Sequence, residues 1–403
     1  MKKRQLTFAA LMSLSLAALL AGCAGTGPKE VPAGCPVCPA PTGEKEVTAP
    51  PAKPLQAARW EDIPGWGQDD LSAALPAFLS SCRGLAGRKE WPLWRPACDE
   101  ARSLNPQDGA ALRRFFESRF TPYQVVNPDG SREGLITGYY EPLLHGSRKA
   151  EGAYRYPLLR VPKDLITVDL SAVYPELKHL RLRGRLQGNR VVPYWSREEM
   201  ARRMDQYQAL LWVDDPIELF FLQIQGSGRV QLPDGSLVRV GYGDQNGRPF
   251  QPIGRVLVER GELKPDQVSM QSIQAWTRAN QGQPGKVASV LNQDPSYVFF
   301  KELNLPPGDG PVGALGVPLT AERSLAVDPR TVPLGAPVFL SATYPNSPRP
   351  LQRLMLAQDT GGAIRGPVRG DFFWGFGSGA GNQAGKMKQR GQLWVFLPPG
   401  LGG

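Results

Sequence analysis

The chain has 403 residues, with 47 Lys and Arg against 37 Asp and Glu and a formal net charge of +10. That charge is spread along the chain with no dense Lys/Arg block among aromatics, which excludes nucleic acid as the expected partner and suits a diffuse anionic polymer such as a wall rich in peptide carboxylates. The 45 glycines and 40 prolines favour many turns and short strands, and two histidines, His145 and His179, leave little material for a catalytic His or a His-rich metal site.

Lys2, Lys3 and Arg4 precede an apolar run from Leu6 to Leu20, too short to span a bilayer comfortably and read as a secretory signal. The run closes on Leu20-Ala21-Gly22-Cys23, a bacterial lipobox pattern. Residues 1–22 are therefore expected to be removed and Cys23 to carry lipid. Ala24, rather than Asp, after that cysteine favours the outer membrane of a Gram-negative cell, facing the periplasm. Residues 23–57 are a proline-rich tether with no apolar periodicity. Largely extended at ~3.1 Å per residue, it would reach ~100 Å. Cys35 and Cys38 lie in it with no partner Cys or His nearby, and read as a local disulfide or as nothing.

Folded structure is expected from about Trp60. Asp69 and Asp70 can cap a helix whose apolar face is Leu71, Leu75, Phe78, Leu79 and Cys82. Cys82 and Cys98 flank a tryptophan-bearing loop and are expected to pair; closing a loop of ~15 residues contributes about 3 kcal/mol in the chain-entropy view. A second helix carries Leu112, Phe115 and Phe116. From about 122 the pattern turns to strands. Gln124-Val125-Val126 and Gly134-Leu135-Ile136-Thr137 flank an Asn-Pro-Asp-Gly turn as a hairpin would, and Arg229–Leu232 with Leu237–Val240 give a second hairpin signal. Ser196-Arg197-Glu198-Glu199 is a capping box. Helical pattern returns from Val268 to Ala279, and short strands broken by prolines follow position 310. Helices, strands, helices, strands is the order produced by a β domain (138–244) inserted into a discontinuous one (58–137 and 245–403).

The residues that carry chemistry lie near the end. The apolar run Leu354-Met355-Leu356-Ala357 leads into Gln358-Asp359-Thr360-Gly361-Gly362-Ala363-Ile364, followed by Asp371-Phe372-Phe373-Trp374. Acid groups move protons, glycines let a ligand approach the backbone, and aromatics such as Trp374 stack on sugar rings. Asp359 and Asp371 can form the two-carboxyl pair of a glycoside hydrolase. If instead the sugar's own hydroxyl attacks its anomeric carbon, one carboxyl is enough, as acid and then base. Such a group needs a raised pKa and an apolar setting, which its aromatic neighbours give Asp371. Asp359, ahead of the glycines, is placed to accept backbone N–H groups and stay ionised. Strand alternation would put Gln223, Gln225 and Ser227 on one face, able to bind sugar hydroxyls and acetamido groups. In Thr137-Gly138-Tyr139-Tyr140-Glu141-Pro142 the tyrosines are ring platforms or core, and Glu141 is a rival acid or a structural group. Trp195 and the Tyr242–Arg248 turn add aromatic and polar groups.

These segments, with Ala326-Val327-Asp328-Pro329-Arg330 and Pro333-Leu334-Gly335, occur in the order of the membrane-bound lytic murein transglycosylase A family, which the chain resembles over most of residues 60–399. From about Gly316 the chain also resembles the "3D" domain, whose three aspartates would be Asp328, Asp359 and Asp371. The resemblance implies a mainly β fold: a double-psi β-barrel built from both chain ends, an inserted β-barrel, and a glycan-binding groove between them. It implies nonhydrolytic cleavage of the MurNAc–GlcNAc bond of peptidoglycan, leaving a 1,6-anhydroMurNAc end. Asp371 would serve as acid and then base, and Asp359 as its support. Thr137, Gly138, Tyr139, Gln223, Gln225, Ser227, Tyr242, Asp328 and Trp374 would meet substrate. No metal or organic cofactor is implied, and cell-wall synthesis or division proteins stay open as partners. The rival readings are a two-aspartate hydrolase of similar fold and a non-enzymatic peptidoglycan-binding lipoprotein.

Overall fold

The computed structural model describes residues 52–401; the signal segment, most of the tether, and with them Cys23, Cys35 and Cys38 lie outside the described residues. In chain order, β1 (Leu55–Ala57) is followed by α1 (Ala74–Leu85), α2 (Trp91–Ala101), α3 (Gly109–Arg119), β2 (Thr121–Val125), β3 (Gly134–Glu141), β4 (Leu143–Ser147) and β5 (Tyr156–Leu159). Then come β6 (Ile166–Thr167), β7 (Arg183–Gln187), β8 (Arg190–Pro193), α4 (Arg197–Ala201), β9 (Ala209–Val213), α5 (Pro216–Gln225), β10 (Ser227–Gln231) and β11 (Leu237–Gln245). The last third holds α6 (Ile253–Glu259), α7 (Met270–Ala279), α8 (Pro284–Leu291), β12 (Val298–Glu302), β13 (Ser324–Val327), β14 (Pro337–Thr343), β15 (Pro350–Asp359), β16 (Arg369–Phe376), α9 (Gly377–Ala384) and β17 (Lys388–Leu397).

Six of these strands close into a barrel in the order β17-β14-β15-β13-β16-β3, with β3 returning to pair with β17. Two neighbours in the ring, β13 with β15 and β16 with β3, run parallel. The run Leu354–Ala357 on β15 is fully buried, as a central strand requires. Helices α1 to α3 pack against the barrel. Trp66 meets Phe339 and Phe396 edge-on at 5.7 and 5.3 Å, joining the helical layer to the barrel core. Asp70 accepts from the Ser72 N–H to start this layer, and Cys82 on α1 is bonded to Cys98 on α2.

A second sheet of six strands, β12-β11-β10-β4-β9-β5, carries its own core of Leu144, Leu158, Leu211, Leu222, Val230, Val240 and Phe300. A bridge between Arg160 and Phe300 brings its two edges together, so this sheet also curls round on itself. Helices α5 to α8 bury Ile217, Phe220, Phe221, Leu257 and Trp276 beside it.

Several expectations are corrected. Residues 55–57 belong to the sheet, where β1 pairs with β2, and not to a free tether. Both tryptophans between the two cysteines, Trp91 and Trp94, lie on helix α2 rather than on a loop, with Pro92 in its first turn and Pro96 inside it. The Asn127–Gly130 turn forms, but β2 and β3 do not pair with each other; both pair with β17, at different ends of that long strand. The chain does not return to the first barrel at 245, because β12 pairs with β11 in the second sheet and ends at Glu302. Finally, β14, β15, β16 and β17 have 7, 10, 8 and 10 residues, longer than the short strands expected there. The β10–β11 hairpin, the Ser196 capping box and the helix ending at Ala279 are present.

Candidate active site

A groove of about 600 Å³ runs between the closed barrel and the second sheet. One wall is the loop after β15, Thr360 to Ile364, with Asp359, Arg369 and Asp371; the facing wall holds Gln223, Gln225, Ser227, Tyr242 and Lys301. The two aspartates reach the same floor through strand register. Ala326 on β13 pairs with Asp371 on β16 at one side and with Asp359 on β15 at the other. The carboxylates therefore sit two strands apart, roughly 9–10 Å between Cα atoms. A bulge at Gln358 sets this up: Leu325 pairs with Ala357, but Ala326 pairs with Asp359. The extra residue turns Gln358 into the core, where its amide donates to Ala77 O at 2.8 Å and to Ser81 Oγ at 3.0 Å.

Asp371 is held from β3. The Thr137 hydroxyl donates to Asp371 Oδ1 at 2.6 Å, and Arg369 donates to Thr137 Oγ1 at 2.8 Å. Burial pushes the Asp371 carboxyl up to about 6 against the pull of Thr137 and Arg369, and the nearby Asp359 charge adds to the rise. The apolar setting is not the one its sequence neighbours suggested. Alternation along β16 turns Phe372 and Trp374 into the barrel core, while Phe373 joins Tyr139, Leu319, Ala326 and Ile364 in a small cluster at the groove. Trp374 is thus no sugar platform: it is buried, its indole N–H points at Met387 Sδ, and its ring lies 4.6 Å from that of Phe372. Gly138 faces the same way, and a Cβ there would come within 2.6 Å of Trp374 Nε1. It is a close-packing residue rather than a substrate contact.

Asp359 accepts the Ala314 N–H at 2.9 Å and the Tyr139 hydroxyl at 3.1 Å. These donors match the expected acceptor role, while burial, the larger effect, raises its pKa above the ordinary carboxylate value. Burial also raises the Tyr139 phenol, with both aspartates adding to the effect, so it stays a neutral donor. Asp328 is not in the groove. It accepts from Arg330 Nε at 2.9 Å and from the Gly366 N–H at 2.8 Å, clamping the loop after β15 from behind. Burial alone would raise its pKa, but these donors win and bring it to about 2. Glu141 is buried between Arg229 and Arg239 at 2.9 and 3.1 Å, away from the groove lining.

The strand expected through Gln223, Gln225 and Ser227 is the end of helix α5 and the start of β10. Asp215 accepts from the Ile217 N–H at 2.8 Å, Pro216 occupies the first turn, and Gly226 closes the helix at φ 81°. All three side chains still line the groove, because the helix ends against it. Arg197 donates to Gln223 Oε1 at 2.6 Å, and the Tyr140 N–H to Gln225 Oε1 at 3.0 Å. Each amide oxygen thus already accepts one hydrogen bond from the protein. Sequence reasoning missed Arg369, Arg181, Arg197 and Lys301. Arg369 could have been found: it lies two residues before Asp371, hence on the same strand face. Arg181, whose guanidinium lies 5.8 Å from the Tyr242 ring, carries no such signal.

A closed barrel and a curled sheet enclosing a groove, with a raised-pKa acid at its floor, are the layout of a mainly β enzyme that works by acid–base chemistry. The family model described as "MltA specific insert domain" matches residues 135–301, and the one described as "3D domain" matches residues 323–397. Membrane-bound lytic murein transglycosylase A of Escherichia coli K12 is 30% identical over 302 residues, 73% of this chain and 74% of its own length. The Vibrio cholerae protein of the same name is 29% identical, with 75% of each chain covered. Among solved structures, that of MltA from Neisseria gonorrhoeae matches with TM-score 0.73 and 38% identity over 86% of this chain and 93% of that one. That of E. coli MltA with bound chitohexaose matches with TM-score 0.61 and 26% identity over 88% and 98%. The chain belongs to the membrane-bound lytic murein transglycosylase A family and is a lytic transglycosylase.

Proposed function

We propose that this enzyme cleaves the MurNAc–GlcNAc bond of peptidoglycan without water, with Asp371 as the only proton carrier. The observation that carries the proposal is a groove-lining carboxyl pushed up to about 6 and oriented by a single hydroxyl donor. The protonated acid gives its proton to the glycosidic oxygen as the bond from that oxygen to MurNAc C1 breaks. The departing GlcNAc leaves with a free 4-hydroxyl. The MurNAc 6-hydroxyl oxygen bonds to C1, and its proton returns to Asp371. Atoms balance with no water consumed, and the carboxyl ends as it began. An intramolecular nucleophile can gain up to ~7–11 kcal/mol from effective molarity, which removes the need for a second base. Asp359 then acts by holding the Ala314 loop and Tyr139, not by activating water. The bound chitohexaose in the E. coli relative supports a glycan strand as the groove's occupant.

Because the acid must be protonated to start, kcat on isolated sacculi should fall as pH rises through about 6. A rate that stayed flat to pH 8 would mean that Asp371 is not the acid.

We further propose lipid attachment at Cys23 and a place at the outer membrane, facing the wall. The relatives' name says membrane-bound, and no helix among the described residues is long and apolar enough to cross a membrane. Metabolic labelling with palmitate should mark the wild-type protein; a Cys23→Ala variant given a cleavable signal should carry no label, become soluble in the periplasm and remain active. An unlabelled wild-type protein would remove the lipobox reading.

A further inference from the structure

The hydrogen bonds around Asp371 have a fixed direction. Arg369 can only donate, because a guanidinium has no acceptor. Its bond at 2.8 Å therefore occupies a lone pair on Thr137 Oγ1. The Thr137 hydroxyl proton is then free for its other close partner, Asp371 Oδ1 at 2.6 Å. That oxygen is a permanent acceptor and a poor place for a second proton. Arg369 is itself fixed by donating to the backbone oxygens of Leu135, at 3.2 Å, and of Gly370. Thr137 and Asp371 are register partners on adjacent parallel strands, and Arg369 is paired with Leu135 two residues earlier on the same strands. The three side chains thus stand in one row, set by sheet pairing rather than by loops. Asp371 Oδ2 has no hydrogen-bond partner among the described residues.

We infer that Arg369 and Thr137 form a one-way donor relay that keeps the transferable proton of Asp371 on Oδ2, so that the acid meets the glycosidic oxygen with the correct atom. The relay has a second effect after the proton leaves. The new carboxylate keeps a charge-assisted bond at Oδ1, while Oδ2 stays open to take the proton of the incoming 6-hydroxyl. Acid and base roles thus fall on one oxygen, and the side chain need not rotate between the two half-steps. Arg369 and Thr137 are positioning residues in this scheme. Other groups near Asp371 are Tyr139, committed to Asp359, and the Asp359 carboxyl itself.

This inference rests on Asp371 being the acid, and the test separates the two. Thr137→Val keeps the β-branched shape of the strand and removes the donor. Losing a donor that favours the carboxylate raises the acid's pKa, so the basic limb of the kcat profile should move up by about one pH unit. The maximal kcat should drop at least tenfold, since the proton is no longer confined to Oδ2. Thr137→Ser should restore both the rate and the limb. Arg369→Met should also move the limb up, because it removes a cation and frees the Thr137 hydroxyl to turn. If Val folds poorly, Thr137→Cys, a weaker donor, should shift the limb the same way by less. A lowered rate with an unmoved limb in Thr137→Val or Cys and in Arg369→Met would reduce the pair to a structural role. So would failure of Ser to rescue. If Asp371→Asn were active, the acid assignment would fail first. An inactive Asp371→Asn beside an unmoved limb condemns the relay alone.

Discussion

Asp371→Asn should lower the rate of sacculus digestion by roughly 10²–10⁴-fold, the usual contribution of a general acid–base group, while the protein stays folded. Asn fills the same space and its amide oxygen can still accept from Thr137, but it has no proton to transfer. A second readout comes from stability. The folded-state pKa of Asp371 is raised by burial above the unfolded value of 3.8. Its contribution to stability is therefore complete below about pH 4 and is lost as pH rises through about 6. Asn cannot ionise, so the variant should gain on wild type across that window and be the more stable of the two at pH 8. Paired activity and urea-denaturation measurements at pH 5 and pH 8 check both halves. Near wild-type activity in the folded variant would move the acid to Asp359 or Glu141.

Glu141→Gln should act in the opposite way, large on stability and small on chemistry. Glu141 is buried and binds Arg229 and Arg239, with side-chain exposures of 14% and 8% for the arginines. It stands at the end of β3, where the closed barrel hands the chain to the second sheet, and both arginines belong to that second sheet. Removing its charge leaves two largely buried guanidiniums without their shared counter-ion, at a cost of about 3–5 kcal/mol. The midpoint in urea should fall accordingly, while the folded fraction cleaves sacculi at close to the wild-type rate. Stability within about 0.5 kcal/mol of wild type would contradict the buried-pair reading. A fully folded but inactive Glu141→Gln would contradict a purely structural role for Glu141.

How much of this was legible in the sequence varies by element. The run Leu354–Ala357 and the aspartate that follows it were readable, because a strand buried on both faces leaves an uninterrupted apolar word. The helix ending at Gln225 is hidden by its own pattern. Gln223 and Gln225 alternate with Ile224 and Gly226 as a strand would, although Asp215-Pro216 before the run and Gly226 after it carry helix start and stop signals. The place of Trp374 is legible: it is three residues from Asp371, and an odd spacing on a strand points to the opposite face. Asp328 reads like its two fellow aspartates in sequence and differs only by where its chain runs. The Thr137–Asp371 contact spans 234 residues and depends on a parallel pairing that no local pattern encodes. The bulge at Gln358, which brings Asp359 to the floor of the groove, is equally silent in composition.

The most direct test of the central claim is the chemistry of the new ends released from purified sacculi. Digested muropeptides should carry 1,6-anhydroMurNAc termini, lighter by one water than hydrolysed fragments and untouched by borohydride. Chitin oligomers lack the lactyl ether and peptide of the natural strand, so the sacculus is the substrate to use. Mass spectrometry before and after borohydride reduction decides between the readings. Predominantly anhydro ends are the predicted result; predominantly reducible ends would contradict it and make Asp359 and Asp371 the paired carboxyls of a hydrolase.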